Sequence, residues 1–385
     1  MKSALVCVGD AGINGLATVR ALGRRGIPVD VVALESSAQI ASVSRYCRRF
    51  HPARDLNSVI DVLRGLEPGA VLYVDNDPML KALAPHAAAL AQRFALADPL
   101  DRALELTDKA WQMGIARKAG IAVPKSWYPA SWEELAVLRT SKRLIAKPIA
   151  RAEFKALIAA DAAELALVLR GRDVTPADVV VQEYVEGGDD QIYAGLCYRA
   201  RSRDGCFVLS ARKLRQTEPG AGVMAVGQAV DAPQVREMTR RLAKAAGAYG
   251  VISTEFKLDA RDGRWYFIEW NPRPAYFQSI GWKAGFDLAW LAWCDHADPQ
   301  RLDALPRSFS GDHYWINVQG DLLNFTKRPV RDAAAWLPYL RRKQWAVFAL
   351  DDQAPWRKSV RQLAEWLFRG RSFGRALGRL AARRA

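Results

Sequence analysis

Apolar runs alternate with helical patterns over the first hundred residues. Apolar residues fill Ala4–Val8, Val29–Ala33 and Ala70–Val74, and Gly12–Gly26 between the first two runs has helical spacing and ends at a glycine. Short apolar runs separated by helices are typical of a parallel sheet whose strands are joined by crossover helices. A further helix follows, with Thr107 as its predicted N-cap.

The middle of the chain combines helices with longer strands. Two capping boxes, Ser131 with Glu134 and Asp161 with Glu164, open helices on either side of a strand at Leu144–Pro148. Strands and helices that are segregated in this way indicate an α+β body behind an α/β N-terminal domain. The remaining predicted elements are strands at Val179–Val185, Gln191–Ala200, Cys206–Arg215 and Val223–Val230, a helix at Pro233–Ala246, and a hairpin of Val251–Leu258 with Trp265–Trp270.

The length of 385 residues exceeds what one ordinary hydrophobic core supports, so several domains are expected. We predict an N-terminal α/β domain over residues 1–105 and a catalytic α+β domain over residues 106–320. Residues 321–385 form a C-terminal extension with a basic amphipathic helix.

The composition excludes several classes of protein. The five cysteines and four histidines are scattered without the paired spacing of a disulfide framework or a zinc site, so we expect reduced thiols. No apolar run approaches the length of about 18–20 residues needed to span a bilayer. The first residues lack the pattern of a signal peptide, and we expect a cytoplasmic protein.

The formal charge of +15 is concentrated at the C-terminal end, where residues 355–385 contain nine Lys or Arg against the single acid Glu365. Apolar residues at helical spacing interrupt these arginines. Such a basic amphipathic segment suits a peripheral contact with an anionic membrane or a protein partner, or attraction to an acidic polymer. The alternative is a helix packed on the body with a solvated basic face. We do not expect a nucleic-acid partner, because the aromatic residues form no stacking pattern.

The hairpin near residue 260 carries two acids that face each other. A three-residue loop ending in Gly263 pairs Ala260 with Arg264, and this register places Glu255 opposite Glu269. Asn271 lies on the same face. Facing carboxylates repel, and nothing local in the sequence neutralises them. A Mg²⁺ ion bound with nucleotide phosphates would do so; the alternative is a solvated hairpin with a polar outer face.

Around this hairpin, the order of motifs resembles the ATP-grasp superfamily, and within it the carboxylate–amine ligase-like branch. The resemblance covers roughly residues 100–290 and implies an ATP-grasp fold whose two subdomains hold ATP between them. Its motifs are Asp108-Lys109, Ala146-Lys147-Pro148, Val181-Gln182-Glu183-Tyr184-Val185-Glu186-Gly187, Arg212-Lys213, Glu255 and Glu269-x-Asn271-Pro272-Arg273.

The resemblance implies a nucleotide site. Lys109 and Lys147 would reach the ATP phosphates as point charges, although Lys109 alone also fits a surface position. Asp189 matches the acid that holds the ribose, or is a simple turn acid beside two glycines. The segment whose backbone and side chains would contact the adenine edge comprises Gln182, Glu183, Tyr184 and Val185.

The resemblance also implies the reacting end of the site. Glu255, Glu269 and Asn271 match the magnesium ligands, and Arg273 matches the arginine that holds the carboxylate substrate or the charge of the intermediate. Arg212 and Lys213 precede a glycine-bearing segment, and one or both of them would contact the γ-phosphate. The implied cofactors are ATP and Mg²⁺.

Two glycine patterns depart from known motifs. No glycine occurs between Gly120 and Gly171, where ATP-grasp enzymes usually have a glycine-rich phosphate loop. Gly9-x-x-Gly12-x-x-Gly15 lacks the spacing of a dinucleotide fingerprint. Asp75-Asn76-Asp77 follows a strand and fits either an acceptor pocket or a helix N-cap.

The predicted function is ATP-dependent ligation of a carboxylate to an amine through an acyl-phosphate, with release of ADP and phosphate. The carboxylate belongs to a small molecule or a polymer. Two alternatives stay open: an ATP-grasp phosphotransferase, and a membrane- or polyanion-binding protein with a relic nucleotide site.

Overall fold

The computed structural model describes residues 2–9, 12–35, 39–149, 154, 156–217, 222–325, 339 and 342–368. Residues 150–153 and 155, which follow Lys147 where a glycine-rich phosphate loop would be expected, lie outside these ranges. The arginine-rich end of the chain from residue 369 also lies outside them. Within them, no helix is both long enough and apolar enough to cross a membrane.

The N-terminal residues form a parallel five-stranded sheet, as the alternation of apolar runs and helices predicts. Its strands are β1 (Ala4–Val8), β2 (Val29–Leu34), β3 (Cys47–Ala53), β4 (Val71–Val74) and β5 (Ala95–Leu96), and its helices are α1 (Ile13–Gly23), α2 (Leu56–Gly65), α3 (Asp77–Leu83) and α4 (Ala87–Arg93). The strand order is β3-β2-β1-β4-β5, so the carboxyl ends of β1 and β4 are adjacent. Strand β3 escapes prediction because most of its side chains are at least partly exposed and no apolar run marks it.

Two short helices, α5 (Ala103–Thr107) and α6 (Lys109–Lys118), lead out of this sheet. The N-cap of α6 is Asp108, whose carboxylate accepts a hydrogen bond from the Trp111 backbone N–H at 2.7 Å. The prediction of Thr107 as the N-cap is wrong, because Thr107 ends α5 and its hydroxyl bonds back to the Leu104 carbonyl. Asp108 therefore fixes Lys109 at the start of α6.

A small antiparallel sheet follows, with the strand order β6-β9-β7-β8. Two helices cover it, and both predicted N-caps are confirmed, because Ser131 and Asp161 accept hydrogen bonds from the backbone N–H groups of Glu134 and Glu164. The elements are β6 (Ser126–Trp127), α7 (Trp132–Ala136), β7 (Leu144–Pro148), β8 (Leu157–Ala159), α8 (Ala162–Arg170) and β9 (Val179–Glu183).

The remaining strands build an eight-stranded sheet in the order β14-β13-β10-β11-β12-β16-β17, with β15 beside β11. Its strands are β10 (Ile192–Arg199), β11 (Cys206–Gln216), β12 (Met224–Ala229), β13 (Gly250–Leu258), β14 (Trp265–Asn271), β15 (Ser308–Phe309), β16 (Tyr314–Ile316) and β17 (Lys343–Trp345). The accompanying helices are α9 (Pro233–Ala246), α10 (Leu288–Ala297), α11 (Val318–Phe325) and α12 (Ala354–Phe368). Mixed α/β and antiparallel parts of this kind confirm the predicted fold class.

The large sheet and the N-terminal sheet share one hydrophobic core. Val6 and Tyr73 of the N-terminal sheet belong to the same buried cluster as Leu196, Phe286 and Trp315. The small sheet instead has a separate cluster formed by residues of β7, β8, β9, α7 and α8. The relative position of the two larger parts is therefore fixed by continuous packing.

The C-terminal segment is attached to both larger parts. Strand β17, within the predicted extension, pairs with β16 at the edge of the large sheet. The loop that follows reaches the N-terminal domain, where Asp352 binds the side chain of Arg20 at 2.9 Å. Both side chains are almost fully buried, at 2% and 1% exposure, and Arg20 also donates to the Val347 carbonyl. Burial lowers the pKa of Arg20, and Asp352 opposes that effect.

We expect Asp352→Ala to lower the free energy of unfolding by about 3–5 kcal/mol, because it leaves the buried guanidinium of Arg20 unpaired. Denaturant unfolding of the full chain measures this change. Asp351→Ala is the matched control: its ion pair with Arg24 at 2.8 Å is partly exposed, so we expect a loss below about 1 kcal/mol. Equal losses in the two variants would contradict the prediction.

Candidate active site

A cleft of about 700 Å³ opens where the N-terminal sheet, the small sheet and the large sheet meet. It is lined by every residue predicted for the site except Arg212 and Asp189. The predicted residues that line it are Lys109, Lys147, Gln182, Glu183, Tyr184, Val185, Lys213, Glu255, Glu269, Asn271 and Arg273. Side chains from segments far apart in the sequence thus line one cleft.

The hairpin of β13 and β14 places Glu255 directly opposite Glu269, as predicted, but by a different route. Next to the loop, Leu258 pairs with Trp265, and the Asp259 N–H donates to the Arg264 carbonyl. Residues 260–263 therefore form a four-residue turn, instead of the three-residue loop of the sequence analysis. A β-bulge at Ile268 then shifts the pairing by one residue and restores the facing carboxylates. Gly263, at φ +67°, occupies the left-handed position of the turn.

The two carboxylates are neutralised by lysines from distant segments of the chain, so a metal ion is not needed to offset their repulsion. The Lys213 ammonium lies 2.8 Å from the Glu255 carboxylate, and the Lys109 ammonium lies 3.4 Å from that of Glu269. Asn271 donates from Nδ2 to Glu269 Oε1 at 2.7 Å. The sequence hid this arrangement because the partners are 42 and 160 residues apart.

The charges of this cluster shift the ionisation of its members. Burial alone would raise the pKa of Glu269, but Lys109, the Asn271 amide, Lys147 and Lys213 together hold it well below its usual range. Burial, with Lys109 and Lys213 nearby, lowers the pKa of Lys147 to about 8 against the attraction of Glu269 and Glu255. Glu269 is therefore a carboxylate at neutral pH, while Lys147 loses its proton just above neutrality.

The donor set fits a magnesium ion of the kind that keeps substrate oxygens. No group of three or more His, Cys, Asp or Glu side chains able to hold a metal occurs in the part of the chain that the structure describes. Glu255 and Glu269 face each other with the Asn271 amide beside them, which gives two carboxylates and one carboxamide. Mg²⁺ prefers few protein ligands, with phosphate or water oxygens completing its coordination.

The predicted adenine segment crosses the cleft at the end of β9. The backbone N–H groups of Glu183 and Tyr184 are already bonded to the carbonyls of Lys125 and Arg143, at 2.9 and 2.7 Å. The Val185 N–H has no hydrogen-bond partner among the described residues, and Val185 lines the cleft. A free backbone donor at the rim of the cleft suits the ring nitrogen of a nucleobase.

The side chain of Gln182 has a fixed orientation at the same end of the cleft. It is 3% exposed and donates from Nε2 to the Ser126 hydroxyl at 2.9 Å. This bond leaves the amide oxygen as the group that can accept from an exocyclic amine. Glu183, in contrast, is held at its side chain by Thr140 and Lys142.

Lys257 was missed by the sequence analysis. It lines the cleft two residues after Glu255 and donates to the Tyr184 hydroxyl at 3.2 Å. Burial lowers its pKa to about 8, although Asp189 and Glu186 favour its charged form. The signal was available, because residues two apart on one strand point to the same face.

Arg212 and Asp189 are not among the residues that line the cleft, and their predicted contacts with the nucleotide stay predictions. Arg212 turns to the opposite side of β11 and binds the Asp190 carboxylate at 2.9 Å. Of the Arg212-Lys213 pair, only Lys213 faces the cleft. Asp189 accepts hydrogen bonds from the backbone and side chain of Gln216, at 3.1 and 2.8 Å, and so holds the last residue of that strand.

For the acidic tripeptide after β4, the N-cap interpretation is confirmed, and the acceptor pocket stays a prediction. Asn76 is the N-cap of α3, accepting from the Met79 N–H at 2.9 Å, and all three residues line the cleft. Gly9, at the end of β1, is required by this packing because a Cβ there would lie 1.3 Å from the Asn76 side-chain nitrogen. Asp75 is buried and accepts from the Gly9 N–H at 2.6 Å.

Arg273 forms the floor of the cleft between the two larger parts. Its guanidinium makes two bonds to the carboxylate of Asp77, each 2.7 Å long. Burial would lower the pKa of Arg273, but Asp77 raises it above the ordinary value. Arg273 is therefore charged, and two of its N–H groups are bound to the Asp77 carboxylate.

Known structures share this architecture, although their sequences are distant. N5-carboxyaminoimidazole synthetase from Staphylococcus aureus, complexed with ADP, is 14% identical, with a TM-score of 0.64 over 87% of each chain. L-amino acid ligase from Bacillus licheniformis is 16% identical, with a TM-score of 0.58 over 77% of this chain and 75% of that chain. The biotin carboxylase domain of Hydrogenobacter thermophilus 2-oxoglutarate carboxylase, complexed with MgADP and bicarbonate, is 17% identical, with a TM-score of 0.60 over 82% and 74%.

Searches by sequence give no match. No protein-family profile matches the chain. No curated protein matches it either. The similarity to known structures at this level of identity therefore concerns the fold.

Proposed function

We propose that this chain, which has the fold of the ATP-grasp enzymes, is an ATP-dependent ligase that joins a carboxylate to an amine. The observation that carries the proposal is the facing Glu255–Glu269 pair surrounded by three lysines within one cleft. Several cations around two acids suit a polyanion bound through a metal.

The nucleotide would lie along the cleft from the small sheet to the hairpin. Its base would meet the Val185 N–H and the Gln182 amide oxygen, and its phosphates would meet Lys109, Lys147 and Lys213. Mg²⁺ held by Glu255, Glu269 and Asn271 would neutralise phosphate charge. When the phosphates bind, Lys109 and Lys213 would exchange the carboxylates of Glu269 and Glu255 for phosphate oxygens.

The proposed reaction needs no nucleophile from the protein. A substrate carboxylate oxygen attacks the γ-phosphorus, the bond from that phosphorus to the bridging oxygen breaks, and ADP leaves with the electron pair. The amine nitrogen then attacks the acyl carbon, and phosphate leaves with the electrons of the C–O bond while the nitrogen loses a proton. The lysines and Arg273 stabilise the charge that develops on the transferred group.

The names and bound ligands of the structurally similar proteins support this class of chemistry. One is named an amino acid ligase, and others are complexed with ADP, MgADP or bicarbonate. The proposed substrates are therefore small molecules or polymers that carry a carboxylate, together with an amine. Arg273 is proposed to hold the carboxylate, since a guanidinium fork matches its two oxygens.

Hydroxylamine tests the reaction without knowledge of the natural amine, because it converts an acyl-phosphate into a hydroxamate and free phosphate. The full chain is incubated with ATP, Mg²⁺, hydroxylamine and a panel of carboxylic acids. We expect ADP, phosphate and hydroxamate in equal amounts with the correct acid. ADP with a stable phosphorylated product and no free phosphate would indicate a phosphotransferase. Nucleotide binding without any product from the whole panel would indicate a relic site.

A further inference from the structure

The ion pair between Arg273 and Asp77 joins the two larger parts across the cleft. The two parallel bonds of 2.7 Å are the fork geometry with which an arginine holds a substrate carboxylate. Arg273 is 18% exposed and Asp77 is 37% exposed, and both line the cleft. Asp77 therefore occupies the place that the proposed substrate carboxylate needs.

A carboxylate that enters this fork has to displace Asp77. The displaced aspartate would then remain at the cleft wall without a cation, because the described cleft lining of the N-terminal domain contains no Lys, Arg or His. Leaving one member of a partly buried ion pair unpaired is strongly unfavourable. A plain carboxylic acid would therefore replace one ion pair with another and leave a negative charge uncompensated.

The N-terminal side of the cleft also offers a second acceptor. Asn14 is 7% exposed and donates from Nδ2 to the carbonyls of Asp75 and Pro274, at 2.8 and 3.2 Å. Its Oδ1 is buried and has no hydrogen-bond partner among the described residues. Arg273 donates to the same Pro274 carbonyl at 3.1 Å, so Asn14 and the ion pair belong to one hydrogen-bond network. A buried acceptor without a donor favours a ligand that brings one.

We propose that the acyl donor is a zwitterion, an amino acid whose carboxylate replaces Asp77 on Arg273. Its ammonium group then pairs with the released Asp77 carboxylate and donates to Asn14 Oδ1. This inference rests on the proposed function and names the substrate class of the same site. The exchange conserves charge, since one ion pair becomes two and no group is left alone. It also makes Asp77 a specificity-determining residue.

The test compares amino acids with the same acids lacking the amino group, for example alanine with propionate and glutamate with glutarate, in the hydroxamate assay. For the pair that contains the correct donor, we expect kcat/KM to be at least about 30-fold higher with the amino acid. In Asp77→Asn we expect that preference to fall to within about threefold, mainly through a higher KM for the amino acid. Asp61→Asn, 78% exposed on α2, is the matched control and should keep the preference.

Calorimetric titration of the same compounds onto the ADP-loaded protein separates the two proposals. Equal binding or turnover of an amino acid and its deaminated counterpart by the native chain would overturn the zwitterion site and leave the ligase intact. Amino-acid binding that depends on Asp77, without hydroxamate or ADP release, would overturn the ligase and retain the site. No binding of any amino acid would overturn the inference. Unchanged ADP binding by Asp77→Asn verifies its fold.

Discussion

Glu269→Gln is expected to lower kcat for ADP release by about 10²–10³-fold, the usual effect of removing one preorganised electrostatic contact. The substitution keeps the shape of the side chain but removes half of the facing carboxylate charge. Glu269 is ionised at neutral pH because Lys109, Lys147 and Lys213 hold its pKa low, so the charge that is lost is a full one. Initial rates over a range of Mg²⁺ concentrations measure the effect.

The affinity of the same variant for ADP is a second measurement of the role of Glu269. Without Mg²⁺, Glu269→Gln should bind ADP at least as tightly as the native chain, because the lysines no longer share their charge with this carboxylate. The gain in affinity on adding Mg²⁺ should shrink. Glu105→Gln, at an exposed position in the middle of α5, is the matched control and should change neither quantity. A Glu269→Gln enzyme with native rates and native Mg²⁺ dependence would refute the proposed metal site.

Lys147→Met is expected to lower kcat/KM for ATP by about 10²-fold, since a methionine of similar length removes one phosphate contact without opening a cavity. Lys147→Arg keeps the charge and serves as the control, with a smaller loss.

The ionisation of Lys147 adds a pH dependence. Its pKa of about 8 means that the ammonium form disappears as the pH rises through that value. Native affinity for ADP should therefore fall between pH 7 and 9 by roughly tenfold.

The arginine variant distinguishes Lys147 from other groups. An arginine stays charged at pH 9, so Lys147→Arg should show a flatter pH profile, with a residual slope from Lys257. The stability of the free protein should change in the opposite sense. A lysine whose folded pKa lies below its unfolded value holds fewer protons when folded, so its unfavourable contribution diminishes as the pH rises from about 8 to about 10. If the dependence of ADP affinity on pH is the same in Lys147→Arg as in the native chain, Lys147 is not the titrating group.

The elements predicted best from the sequence are those with strong local signals. The side chains of Ser131 and Asp161 cap the N-termini of α7 and α8. Gly247 ends α9 in the left-handed conformation at φ +60°. Apolar runs located β1, β2 and β4 within a residue or two. Strands β16 and β17 were not predicted, because each has only three residues, which is too short for an apolar pattern to mark a strand.

The facing glutamates show the limit of reasoning from register. Their pairing was predicted from a loop one residue too short, and the bulge at Ile268 compensates for that error. The bulge leaves no mark in the sequence, because Ile268 is as hydrophobic as Tyr266 and Phe267 before it. The resemblance to a family supplied the same pairing independently. The local derivation alone would have been right for the wrong reason.

The substrate side of the cleft depends on contacts that no local pattern encodes. Asp77 and Arg273 are 196 residues apart, and Asn14 reaches Pro274 across 260 residues. The tripeptide after β4 was recognised as a candidate, but its cationic partner was assigned to a substrate instead. Sequence order gives the residue types of a site, whereas the pairing among them is decided by how distant segments pack.

The separate core of the small sheet has a consequence for how the chain can diversify. The residues proposed to contact the base, Gln182 and Val185, lie in or next to β9 of the small sheet, which has its own core. Asn14 and Arg273 adjoin the core shared by the two larger sheets, and Asp77 opens α3, which packs within the N-terminal domain. On the proposed assignment, we expect substitutions around the Arg273–Asp77 ion pair to change the choice of acid with little effect on affinity for the nucleotide.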